Sequence, residues 1–143
     1  GEDDSLADRL ARLRHRIQPA LDRRGIALHW EIAPHDELAL PGGKVAREIA
    51  AIVQEAVSNV LQHADATALV IRLHSVQTMQ GRAWQLQVAD NGAGLPSGEP
   101  ACHSLGRGID SMRSRAAAVA GWLELLPQEG RGLCVQLTVP AVQ

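Results

Sequence analysis

The sequence has no phenylalanine and no tyrosine, and its aromatic side chains are Trp30, Trp84 and Trp122 alone. Proteins that hold single-stranded nucleic acid stack the bases on such rings, so most of the platforms for that chemistry are missing. Charge argues the same way: 14 basic and 16 acidic residues leave a formal net charge of −2, and nucleic-acid binding is not expected. The two cysteines, Cys102 and Cys134, show no CxxC or Cys/His spacing, which gives neither a zinc pattern nor a disulfide framework. No apolar run approaches the ~20 residues that span a bilayer, and no charged-then-apolar leader opens the chain. Direct membrane contact is therefore not expected, and a reducing cytoplasm suits the thiols, whether or not the chain is one piece of a longer, membrane-anchored protein.

What is present fits one globular domain: 143 residues, 45% hydrophobic and 21% charged, a size at which roughly 68–70% of the unfolded surface is buried on folding. Six arginines lie between Arg9 and Arg24, but Glu2, Asp3, Asp4, Asp8 and Asp22 offset five of them. A solvated helix face is the expectation.

Residues 1–24 form a helical segment preceding a domain at 25–143. Ser5 with Asp8 resembles a helix start, Leu6, Leu10, Leu13, Ile17 and Leu21 recur at helical spacing, and Pro19 is expected to interrupt the helix. "GIALHWEI" (25–32) reads as a strand and 33–43 as a loop. From about Lys44 to Asp65, Val45, Ile49, Ile52, Val53, Ala56, Val57, Val60 and Leu61 make one apolar face of the strongest helix. "ALVIRLH" (68–74) and "AWQLQV" (83–88) suit neighbouring antiparallel strands joined through Ser75–Arg82. A Gly-rich loop at 91–108, a short helix and a final hairpin turning near 129–132 complete the order. That order predicts a two-layer α/β (α+β) sandwich, a mixed and mostly antiparallel sheet with its helices on one face.

Three short motifs carry chemistry. Glu55, Asn59 and His63 are four residues apart, so they share one helix face; alone, such a row is most often wet surface. It also offers oxygen ligands to Mg²⁺, which is commonly held by one or two protein groups plus phosphates. "ADNGAGL" (89–95) closes a strand. Taken alone it is a turn, or else Asp90 is a recognition carboxylate with Gly92 and Gly94 letting a ligand approach the backbone. Gly106-Arg107-Gly108 reads as the start of a helix, where N–H groups and Arg107 would meet phosphate; an ordinary loop-to-helix junction is the competing reading. "LALPGGK" lacks the first glycine of a GxxxxGK loop and "GAGLPSG" is misspaced for GxGxxG, so neither of those nucleotide folds is expected.

In this order, ExxxN on a long helix, DNGxG after a strand and then GxG resemble the ATP-binding domain shared by DNA gyrase, heat-shock chaperones, histidine kinases and mismatch-repair ATPases. "IVQEAVSNVLQHADAT" (52–67), "DNGAGL" (90–95) and "GRGIDSMRSRAAAVAG" (106–121) look most like the nitrate/nitrite-sensor subfamily of two-component histidine kinases, and "LRHRIQPALDRRGIALHWEI" (13–32) is similar to the segment before that domain. The resemblance implies ATP and Mg²⁺ as cofactors. It also implies that Asn59 binds Mg²⁺ with Glu55 beside it and that Asp90 accepts a hydrogen bond from the adenine amino group. His63 is expected among the nucleotide-binding residues, with a structural hydrogen bond at the helix end as its competing role. Gly92 and Gly94 would start a lid, with Gly106, Arg107 and Gly108 at its far hinge near the phosphates. The partners it implies are a dimerisation and phosphoacceptor domain outside this chain and a response regulator. Departures from the pattern are Gln62 in place of a basic residue, Leu133 in place of Thr and Ala120-Gly121 in place of Gly-Gly; His15, followed by Arg16, does not match the acceptor histidine. The competing expectations are an anti-sigma-factor-type serine kinase and a nucleotide-binding interaction module without turnover.

Overall fold

The computed structural model describes residues 5–32, 40–94, 101–128 and 130–141. Ser5 caps the first helix, its hydroxyl accepting from the Asp8 N–H at 3.2 Å, and α1 then runs Leu6–Arg23 with Leu6, Leu10, Leu13, Ile17 and Leu21 buried. The expected break at Pro19 does not occur. Pro19 is exposed and on the side away from the leucines, where water can take the carbonyl its missing N–H leaves free, while Ile17 and Leu21 hold the flanking turns in the core. The helix ends where Gly25 turns to φ 70°, a left-handed conformation that glycine adopts without strain.

Strand β1 (Ala27–Ile32) precedes α2 (Gly43–Asn59), which passes into a single π turn at Val60–Ala64. Strands β2 (Ala68–Thr78) and β3 (Gly81–Asp90) form the central hairpin, α3 spans Ala101–Ala117, and β4 (Trp122–Pro127) with β5 (Leu133–Pro140) close the chain. The strands continue through most of the expected 75–82 connection, leaving Met79 and Gln80 as the turn. Thr78 Oγ1 makes this possible, accepting from the Gln80 N–H at 3.1 Å and donating to the Gly81 carbonyl at 2.8 Å.

The sheet order is β1-β2-β3-β5-β4, with β1 parallel to β2 and every other pair antiparallel. This is the mixed α/β sandwich the element order predicts. Alternate strand residues, among them Leu69, Ile71, Leu73, Leu86, Val88 and Leu137, enter one core with the buried faces of α1 and α2 and with Met112 and Ala116 of α3. The opposite sheet face carries a polar row with one side chain from each strand. Glu31 and Arg72 pair at 2.7 Å, Arg72 stands across from Gln87, Gln87 bonds Gln136 at 2.7 Å, and Gln136 bonds Glu124 at 3.2 Å. The helices thus take one face and leave the other polar. No helix among the described residues is long and apolar enough to cross a membrane.

Candidate functional site

The C-terminal ends of α2 and β3 meet at a cleft of about 420 Å³, mouth included, whose polar side chains are Asn59, His63 and Asp90. Val88, Ile109, Met112, Leu125, Leu133 and Val135 supply much of the apolar wall, and Gly94 stands at one side. An apolar slot with few convergent polar groups is the form a small-molecule site takes.

Asp90 ends the central strand and is only 7% exposed. Burial pushes its pKa up from the ordinary carboxylate value, and backbone N–H bonds from Gly92 and Leu133 act in the opposite direction. The Gly92 N–H reaches Oδ1 at 2.7 Å, so Gly92 holds the carboxylate in place. Asn91 faces away from this task. Its Oδ1 accepts from the Thr67 and Ala68 N–H groups, each at 2.9 Å, and its Nδ2 donates to Thr67 Oγ1 at 2.8 Å. The strand end is thereby stapled to the segment leaving the π turn.

Asn59 is the last α-helical residue of α2, and the π turn after it carries His63 along the same wall. Asn59 Nδ2 and His63 Nε2 are buried without a hydrogen-bond partner. Orphaned polar atoms in a cleft call for a ligand or water, because each costs about 1–3 kcal/mol if left unmet. Glu55 lies beside Asn59. A Cβ placed on Gly108 would sit 3.1 Å from Glu55 Oε2 and 3.2 Å from Asn59 Oδ1, so the bare backbone of α3 lets both polar groups pack beneath it. Glu55 itself opens onto a separate polar groove with Gln54, Ser58, Ser111 and Arg115. Among the described residues no cluster of three His, Cys, Asp or Glu could hold a metal, so any ion here would be one that keeps water or substrate oxygens as ligands.

Residues 44–143 match the family described as histidine kinase-, DNA gyrase B-, and HSP90-like ATPase. The chain belongs to that family. Over 118 residues it is 32% identical to the sensor histidine kinase LiaS of Bacillus subtilis, covering 82% of this chain and 30% of LiaS, so it spans under a third of that relative. Its fold is that of the Acinetobacter baumannii histidine kinase AdeS (TM-score 0.74, 15% identity, 99% of this chain and 68% of that one). The ATP-binding domain of PrrB from Mycobacterium tuberculosis is also similar, with TM-score 0.67 and 20% identity over 96% of this chain and 94% of that one.

Within this ATPase fold one expectation fails. Gly106-Arg107-Gly108 does not open a helix: α3 begins at Ala101, so the tripeptide lies in its second turn. Its N–H groups occupy positions where the helix supplies its own carbonyl acceptors, and they cannot serve as a helix-start anion cradle. Arg107 is exposed and does not line the cleft. Two glycines mislead at this point, because Gly108 is needed for close packing on α2 rather than for a turn. Gln62 also stays out of the cleft, donating back to Ser58 Oγ at 3.1 Å.

The residue that sequence reasoning misses is Gly132. A Cβ there would stand 1.9 Å from the Asp90 carbonyl oxygen, so only glycine lets the β4–β5 turn press against the strand end and bring the Leu133 N–H to Asp90. The clue is faint: glycines at 130 and 132 look like any hairpin turn.

Proposed function

We propose that the chain is the Mg²⁺-ATP-binding catalytic domain of a sensor histidine kinase, donating the γ-phosphoryl group to a histidine on a dimerisation helix outside this chain. A response regulator would then receive the phosphoryl group. The observation that carries this reading is the buried Asp90 carboxylate opening into the same cleft as Asn59, whose Nδ2 is buried without an acceptor.

Asp90 would accept from the adenine amino group, whereas guanine would turn its O6 acceptor toward the carboxylate and be refused. The apolar walls would sandwich the base, with Gly94 at its side; the lid expected after Gly94 falls on 95–100, outside the described residues. Asn59 would hold Mg²⁺ through its amide oxygen, adding no negative charge to repel phosphate, and Glu55 beside it would orient a metal-bound water or the attacking group. His63 Nε2 would meet a polar atom of the nucleotide. When bound, the ion neutralises charge on the phosphate oxygens. The bridging P–O bond would break as the P–N bond to the acceptor imidazole forms, with ADP leaving. Likeness to LiaS, a sensor kinase, supports the kinase reading over an anti-sigma-factor kinase. The nitrate/nitrite-sensor type and a cytoplasmic location belong to the same proposal.

The test is a thermal-unfolding titration with Mg²⁺-ADP, Mg²⁺-GDP and no nucleotide, on the wild type and on Asp90→Asn. Ligand at 100 times its Kd adds about 2.7 kcal/mol. Stabilisation by ADP alone, lost in Asp90→Asn, is the expected result. No shift with either nucleotide at millimolar concentration would leave an interaction module without nucleotide as the better description.

A further inference from the structure

The corner between α1 and β1 is bonded to the segment that carries His63. Arg24 caps the end of α1, and the turn at Gly25 sends the chain into β1. Two hydrogen bonds cross from this corner to the chain leaving α2. Arg24 Nη1 donates to the Leu61 carbonyl, and the Ala27 N–H donates to the Thr67 carbonyl at 2.9 Å. The first bond has a plain physical reason. The last carbonyls of a helix find no N–H within it, and the helix dipole leaves that end negative, so a guanidinium is favoured there. Leu61 lies in such a final turn, the π turn Val60–Ala64, which stops at Asp65 with φ 51°. Arg24 makes no other side-chain bond among the described residues. Leu61 stands midway between Asn59 and His63, and the two are held differently. Asn59 ends α2, whose buried Ile52, Val53, Ala56 and Val57 fix it in the core. His63 lies beyond Leu61 on a single irregular turn, and its Nε2 is buried with no partner, so the backbone alone sets where that nitrogen points.

We propose that Arg24 is a positioning residue for the cleft: by holding the Leu61 carbonyl it sets the π turn, and through the turn the His63 ring. No residue of α1 or of the corner lines the cleft, so the end of α1 acts on the cleft at one remove. π turns are rare, occur mostly as single turns and are frequent at functional sites; this one is fixed from outside its own helix. A displacement of the α1 end that broke the Arg24 bond would turn His63 while leaving Asn59 and Asp90 in place. The effect on ligand affinity rests on the reading of the cleft as a nucleotide site, whereas the hold on the turn does not.

The test compares the full chain with Arg24→Gln, Arg24→Lys and Arg23→Gln, all at exposed positions where the fold should tolerate the change. The first readout needs no nucleotide: the ring resonances of His63 by NMR, with amide hydrogen exchange over 62–66. Arg24→Gln should move those resonances and speed exchange in the turn about fivefold. Arg24→Lys, which keeps a cationic donor, should restore most of the wild-type pattern, and Arg23→Gln, one residue away, should leave it intact. The second readout is calorimetric titration with Mg²⁺-ADP. Arg24→Gln should weaken binding about fivefold, and the same change made on a His63→Gln background should weaken it less than about twofold, as expected when one residue acts through another. Unmoved His63 resonances in Arg24→Gln, the same movement in Arg23→Gln, or an equal loss of affinity with and without His63 would overturn the proposal. A wild type that binds no Mg²⁺-ADP would remove the nucleotide reading instead, and the His63 resonances and the exchange rates would still decide whether Arg24 sets the turn.

Discussion

Two glycines that look alike on paper have opposite jobs. At Gly132 the φ is +119° and the backbone of Asp90 blocks any side chain, so Gly132→Ala combines positive-φ strain of about 1–3 kcal/mol with a collision that must move the strand end. Urea denaturation should show a loss at or above that range, together with weaker nucleotide stabilisation. Gly108 is helical, and an alanine there gains about 1 kcal/mol of helix propensity while crowding the Glu55 and Asn59 side chains. Gly108→Ala should therefore melt within a few degrees of the wild type yet weaken Mg²⁺-dependent nucleotide binding, as isothermal titration would reveal. Asp90 adds a pH signature. Its carboxyl has a pKa raised by burial, so the folded state holds the proton more tightly than the unfolded chain does. The stability this contributes is complete below the ordinary Asp pKa and is lost as pH rises through the raised value. Relative to wild type, Asp90→Asn should gain stability as pH rises above the ordinary Asp value; a wild-type curve parallel to the variant's would refute the shift.

At the level of elements, periodicity reported what repeats and missed what happens once. The apolar faces of α1 and α2 and the alternation in β2 and β3 are statistical over many residues, so they could be read directly. Pro19 shows a tertiary contact overriding a local rule, with core anchors on both sides of the proline; the π turn and the start of α3 at Ala101 are single events that leave no mark in the spacing of apolar residues. The convergence of Asn59, His63, Asp90 and Gly94 on one cleft follows from motif order, but Gly132 does not, because its necessity lies in a backbone 42 residues away in sequence. Asn91 illustrates the same limit. Asn-Gly invites a hairpin reading, whereas here the amide ties β3 to the chain entering β2 through three bonds. Asn91→Ala should cost about 1–3 kcal/mol for the N–H groups left unmet. Hydrogen exchange should locate the loosening at Thr67 and Ala68.

Across the molecule, the two faces of the sheet divide the work. One is sealed by the helices and carries, at its central strand, the cleft; the other bears the row of Glu31, Arg72, Gln87, Gln136 and Glu124. Because strand side chains alternate, a slip of one residue between any two strands would break that row and turn core residues outward. The row also turns with β3, the strand whose last residue is Asp90, so its alignment and the position of the carboxylate are set by the same pairing. A shift of that pairing would therefore show in two places at once, as a broken row on one face of the sheet and as a carboxylate out of line with Asn59 on the other.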